Sequence, residues 1–234
     1  MPQLLMPTGS RCLSSIPEKS FLLERLSATG WYIDRSARSG SLAGRVNAFA
    51  HTLGKILPGR GRQPIERVVP LAKDSAVPGS LSSRYGLESL PLHTDTAHWP
   101  RPCRYLVIAC EDPGPVSTPT ALLDSARVKM SEDDDLRCKT EVFLVQNGRQ
   151  SFYGSILEAG RPFVRLDQGC MRALTRAGNA ALRTFDAMPN RMPTYLHSWE
   201  AGDILVLDNW RVLHGRGNGG QTSEGRVLLR ALVE

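Results

Sequence analysis

The sequence has no apolar stretch long enough to cross a bilayer. Leu4 and Leu5 lie near its start, but Pro2, Pro7 and Arg11 interrupt any apolar signal core, so no secretory signal is expected. It has no CxxC pair. Its five cysteines, Cys12, Cys103, Cys110, Cys138 and Cys170, are odd in number and scattered. That argues against a disulfide framework or a structural zinc site and fits a reducing cytoplasm. The sequence also lacks a run of five like charges, an internal repeat and a low-complexity tract. The 29 Lys and Arg against 23 Asp and Glu give a formal net charge of +6. That charge is dispersed and forms no basic stripe with interleaved aromatics, which argues against a nucleic-acid partner.

What remains is an ordinary globular composition: 234 residues, 41% hydrophobic and 22% charged. One domain over residues 1–234 is expected, with 1–16 a poorly ordered lead-in. Pro17-Glu18-Lys19-Ser20 opens an amphipathic helix that Gly30 stops, and Trp31-Tyr32-Ile33 reads as a strand. Leu42, Val46, Phe49, Ala50, Leu53 and Ile56 recur at helical spacing, giving a second helix from about Ser41 to Ile56. After a Pro- and Gly-rich loop the pattern changes to short strands at Ile65–Val69, Arg104–Ala109, Thr120–Leu123, Glu141–Val145, Arg161–Leu166, Asp203–Leu207 and Val227–Leu232. Helical spacing returns once, over Cys170–Met188, and the acidic run Glu132-Asp133-Asp134-Asp135 reads as an exposed turn. The expected class is mainly β with flanking helices, a sandwich or barrel.

The chemistry gathers around His93-Thr94-Asp95, which follows an apolar run. In an extended strand, residues i and i+2 face the same way, so this imidazole and carboxylate can meet one metal ion. A third ligand must come from far away. His214 is the candidate, in Asp208-Asn209-Trp210-Arg211-Val212-Leu213-His214, just after the strand 203–207. A lone strand histidine is more often a satisfied core residue; an HxD pair with a distant strand-borne histidine is a sharper signal. His51 sits on the polar part of the second helix, and His98 and His197 have no partner spacing that suggests a ligand. Two histidines and one carboxylate form a facial triad that suits non-haem Fe(II), leaving positions for a co-substrate and O2. A closed zinc site would need a fourth ligand, and no Cys or His is suitably placed. Arg226 and Arg230 lie four apart on the last strand. Either they face an anion, which offsets the cost of burying them, or they flank an edge strand and face water.

His-Thr-Asp, then DNWRVLHGR and GRVLLR far downstream, resembles the Fe(II)/2-oxoglutarate-dependent dioxygenases, nearest the taurine dioxygenase (TauD/TfdA) and clavaminate synthase-like group. The resemblance runs from about Trp31 to the C-terminus, and Phe163–Met171 is similar to a segment of that branch. It implies a double-stranded β-helix (jelly roll, cupin-like) with Fe(II) held by His93, Asp95 and His214. It implies that Arg226 and Thr120 hold the distal carboxylate of 2-oxoglutarate, and that Arg230 meets an anionic substrate or the co-substrate. The implied reaction uses 2-oxoglutarate and O2, releases succinate and CO2, and hydroxylates an unactivated C–H bond. Related halogenases have a small residue at the Asp95 position, so halogenation is not expected. Trp99, Arg104 and Arg216 are candidate substrate contacts, pointing to a small anionic or amino-acid-like molecule. The chain departs from the pattern at 112–117, which reads DPGPVS where relatives often have a Gly-Gly-Asp turn. Two alternatives stay open: a nucleic-acid demethylase on the same iron frame, and a cupin-type metal protein without oxygenase activity.

Overall fold

A computed structural model describes residues 16–36, 40–59, 61–78, 80–116, 118–187, 195–217 and 224–234. All but the last residue of the expected lead-in, and Met188, lie outside them.

The chain opens with helix α1 (Lys19–Thr29), strand β1 (Trp31–Asp34), helix α2 (Leu42–Leu53), strands β2 (Ile56–Leu57) and β3 (Glu66–Val68), and a short helix α3 (Leu81–Tyr85). Strands β4 (Tyr105–Asp112) and β5 (Thr120–Asp124), helix α4 (Glu132–Thr140) and strands β6 (Phe143–Asn147), β7 (Gln150–Gly154) and β8 (Met171–Ala173) follow. Helix α5 (Arg176–Ala187) and strands β9 (Tyr195–His197), β10 (Ile204–Asp208), β11 (Val212–Arg216) and β12 (Val227–Val233) complete it. The pairing is antiparallel, as expected of the jelly-roll class. A six-stranded sheet runs β1-β10-β4-β12-β2, with β3 also on β12. Two three-stranded sheets run β11-β5-β9 and β7-β6-β8.

Period-two alternation sorts the large sheet into two faces. Tyr105, Val107 and Ala109 of β4, with Leu229, Ala231 and Val233 of β12, pack on Leu22 and Leu26 of α1 and Val46, Phe49 and Leu53 of α2. Each fully buried apolar side chain here contributes about 1.5–3 kcal/mol. The intervening residues, Leu106, Ile108 and Cys110 of β4 and Leu228 and Leu232 of β12, face the other way, towards Leu122 of β5 and Val212 of β11. His214 and Arg216 share the parity of Val212, and Arg230 that of Leu228. Functional side chains therefore project between the two sheets.

Four expectations need correction. Arg161–Leu166 is not a strand and contributes only the isolated bridge Leu157–Val164. Its alternation is that of a buried loop built around Arg165, which is 0% exposed. The acidic run is not a turn but the start of α4, where Ser131 accepts a hydrogen bond from Asp134 N. Acidic groups in a first turn are stabilised by the helix dipole and a serine cap. The interruption after Cys170 begins as strand β8, and Ile56 belongs to β2, not to α2.

Candidate metal centre

His93 and His214 exchange both backbone hydrogen bonds, His93 N to His214 O at 2.8 Å and His214 N to His93 O at 3.1 Å. The segment before His93 therefore runs alongside β11, and Leu90 N bonds Arg216 O. Gly215 permits this close approach: a Cβ there would lie 2.6 Å from Leu90 O and 2.9 Å from Pro91 O. Thr94, fully buried, is anchored by its hydroxyl to Val164 O at 2.8 Å and by its N–H to Leu166 O at 2.6 Å. Asp95 then opens a turn, and Thr96 adopts φ 56°. Left-handed backbone is strained for a β-branched residue, costing about 1–3 kcal/mol. The Thr96 hydroxyl is held in place by bonds to Asp95 O and from Cys103 N. His93 and Asp95 thus converge through a bridge and a tight turn rather than along a strand.

One ligand atom each from His93, Asp95 and His214 lies within 4.8 Å of the other two, and all three residues are buried. Asp95 Oδ1 is 3.5 Å from His93 Nε2 and 3.9 Å from His214 Nε2. His93 Nδ1 lies 2.9 Å from Pro91 O; with Nδ1–H donating there, Nε2 keeps its lone pair for the cluster. Burial favours an uncharged Asp95, but Arg230 and the two histidines outweigh it and hold the carboxyl well below its usual range. Burial, with His93 alongside, pushes His214 down to about 3, so it is a neutral donor. Burial also opposes charge on His93, but Asp95 outweighs it and raises its proton affinity. An arriving cation takes that proton's place. Among the described residues no fourth His, Cys, Asp or Glu joins the cluster.

A second layer fixes Asp95. The Asn209 amide pairs with its peptide unit, accepting from Asp95 N at 2.9 Å and donating to Asp95 O at 3.0 Å. Arg230 donates from Nη1 to Asp95 Oδ2 at 2.7 Å and from Nη2 to Glu66 Oε2 at 2.6 Å. His93, Asp95, Glu66, Trp99, Asp167 and Arg230 all line one cavity of about 410 Å³.

On the other side, Arg216 and Arg226 are 4% and 6% exposed. Arg216 lies opposite Thr120 in the β11–β5 register. It donates from Nε to Glu88 O at 2.6 Å and from Nη2 to Gly86 O. Arg226 donates from Nη1 to Thr118 O at 3.0 Å. Burial lowers both guanidiniums to about 10, and the charge of Arg226 adds to the effect on Arg216. The Thr120 hydroxyl accepts from Trp199 Nε1 at 2.9 Å.

Of the substrate candidates, Trp99 lines the metal cavity and Arg216 faces the interior beyond His214. Arg104 is not brought there; its guanidinium stands 5.0 Å over the rings of Tyr105 and Trp210 at a separate depression. The sequence reading missed Asn209, Glu66 and Arg165. The Asp-Asn pair before the strand of His214 is a local cue for Asn209. Glu66 has none, because it meets Arg230 across 164 residues. Arg165 ties Ala97 O, Trp99 O and Pro100 O together, bracing the loop after Asp95.

Residues 125–232 match the family described as taurine catabolism dioxygenase TauD, TfdA family. The match covers slightly under half of the chain. The matched stretch contains His214, Arg226 and Arg230, while His93 and Asp95 precede it. The TauD/TfdA match is joined by likeness of fold over nearly the whole chain. Asparagine oxygenase in complex with Fe(II), 2S,3S-3-hydroxyasparagine and succinate is 19% identical, with TM-score 0.69, over 92% of this chain and 78% of that one. Non-heme iron oxygenase OrfP with Fe and alpha-ketoglutaric acid is 18% identical, with TM-score 0.67, over 92% and 78%. PvcB from Pseudomonas aeruginosa is 17% identical, with TM-score 0.66, over 92% and 80%. At these identities the likeness establishes the fold. No curated protein matches this sequence.

Proposed function

We propose that the chain is an Fe(II)- and 2-oxoglutarate-dependent oxygenase that hydroxylates an unactivated C–H bond of a small, amino-acid-like molecule, releasing succinate and CO2. The observation that carries this reading is the trio His93, Asp95 and His214: two imidazoles and one carboxylate, buried, converging, with no fourth protein ligand among the described residues. Ligands about 2.1 Å from one ion and at right angles stand about 3 Å apart, close to the 3.5 and 3.9 Å found here. The donor set therefore fits Fe(II), which when bound supplies the redox chemistry with 2-oxoglutarate and O2 as co-substrates.

The chain's own residues do the rest. His93, Asp95 and His214 would hold the ion. Arg226, with Thr120, binds the distal carboxylate of 2-oxoglutarate; among the described residues its buried charge lacks a carboxylate partner and its Nε lacks a hydrogen-bond partner. Arg230 works on the metal side, keeping Asp95 ionised and aimed. Trp99 and Asp167 stand in the cavity wall where a substrate sits against the ion. A small-molecule substrate suits the size of that cavity, and the asparagine oxygenase of like fold carries a hydroxylated amino acid with succinate. We place the enzyme in the cytoplasm as a single domain without a nucleic-acid partner. Free Cys103, Cys110, Cys138 and Cys170 accord with a reducing compartment, and no helix among the described residues is long and apolar enough to cross a membrane.

The test is substrate-stimulated succinate release by the Fe(II) protein against a panel of amino acids and small acids. We expect one or more amino acids to raise the rate and Asp95→Ala to abolish it. Succinate release that no member of the panel stimulates, and that survives in Asp95→Ala, overturns the reading.

A further inference from the structure

We propose that Arg216 is a second cationic contact for the distal carboxylate of 2-oxoglutarate, acting beside Arg226. The inference rests on the co-substrate reading above and deepens it.

Among the described residues, the other buried or half-buried arginines have acidic partners. Arg45 pairs with Asp34 at 2.8 Å, Arg165 approaches Glu158 at 3.5 Å, and Arg230 meets both Asp95 and Glu66. Arg216 and Arg226 are the exceptions. Among the described residues no salt bridge reaches either, and their hydrogen bonds go to backbone carbonyls. Both stand beside the start of β5, Arg216 opposite Thr120 and Arg226 on Thr118 O. Two uncompensated cations, shielded from water and close together, are destabilising unless an anion joins them.

The fold aims them at one place. Arg216 follows His214 by two residues on β11, so both project to the same inner face. Two residues of strand rise separate them by about 7 Å, within reach of a short diacid held at the metal by its other end. Directly opposite Arg216 is Thr120, and Thr118 O accepts from Arg226 Nη1. The start of β5 therefore lies beside both guanidiniums. On the far side of the metal Arg230 is already matched by two carboxylates. A dianion chelating through one end is thus drawn towards Arg216 and Arg226 with the other.

Arg216 also holds Glu88 O and Gly86 O, so a purely bracing role for the turn before His93 is the competing explanation. Calorimetry on the anaerobic Fe(II)-loaded full chain separates the two. The probes are 2-oxoglutarate and 2-oxopentanoate, which has the same chain without the distal carboxylate. Wild type is expected to prefer 2-oxoglutarate strongly. Arg216→Gln, which keeps a donor for the carbonyls but no charge, should cut that preference by about tenfold or more. Arg216→Lys should retain most of it, and iron binding should be unchanged in both. A Gln variant that weakens both acids equally, leaving the ratio at the wild-type value, reduces Arg216 to a brace and overturns the proposal. A wild type indifferent between the two acids overturns the co-substrate reading itself, and this inference with it.

Discussion

Arg226 and Arg230 lie four residues apart, one just before β12 and the other at its middle, yet their surroundings are opposite. Arg230 holds two carboxylates, one of them that of the candidate ligand Asp95, and its affinity for its proton is raised despite burial. Among the described residues Arg226 has only a backbone carbonyl, and burial lowers it to about 10. The same residue type is neutralised internally in one case and, on the proposed function, left for a ligand in the other. On that proposal the first arrangement would build the site, and the second would keep a place for what enters it.

The largest effect expected from breaking this contrast is on stability. Arg230→Met removes the cation that Asp95 and Glu66 share. It should cost about 3 kcal/mol or more, read as a lower midpoint in metal-free denaturant unfolding. Arg226→Met removes a charge that the metal-free fold does not compensate. Its metal-free midpoint should stay level or rise, while affinity for 2-oxoglutarate falls by about 2–5 kcal/mol in anaerobic titration. Equal losses of stability in the two variants would erase the distinction.

His197 extends the comparison to a neutral group. It is 0% exposed, neither ring nitrogen has a hydrogen-bond partner, and burial pushes it down to about 4, with Asp203 Oδ2 at 3.7 Å opposing. Its folded value lies below the unfolded 6.5. The stability it contributes is therefore present above pH 6.5 and is lost as pH falls towards 4, where the unfolded chain binds a proton that the fold refuses. The loss amounts to about 3 kcal/mol at most. His197→Phe should flatten the fall of melting temperature over that interval, and an unchanged slope would show that other groups set it. The smallest effect belongs to Glu66→Gln. It keeps a hydrogen-bond acceptor for Arg230, so the loss should be about 1–2 kcal/mol in the same unfolding experiment.

How far the sequence was readable follows from the range of each interaction. His93, Asp95 and His214 could be picked out because an HxD pair and a strand-borne histidine are local patterns, and antiparallel pairing brought them together. The helices α1 and α2 and most strands followed from periodicity. The reading that His93 and Asp95 share a strand face missed the physical means of convergence: Thr96 at positive φ and the Asn209 amide are not visible as spacing. Glu66 was hidden because its partner is 164 residues away. Phe163–Leu166 is apolar enough to read as a strand, but it is a buried loop with Arg165 under three loop carbonyls. The start of α4 was legible and overlooked, since Ser131 three residues before Asp134 is a capping pattern.

The central claim is that His93, Asp95 and His214 hold one ion and leave room on it for 2-oxoglutarate. Anaerobic titration of the Fe(II) protein with 2-oxoglutarate, followed in the visible range, tests it most directly. A saturable metal-to-ligand charge-transfer band should appear in wild type and be absent from His93→Ala, Asp95→Ala and His214→Ala. A wild type that binds iron but develops no band, or a His214→Ala variant that keeps the wild-type band, would contradict it.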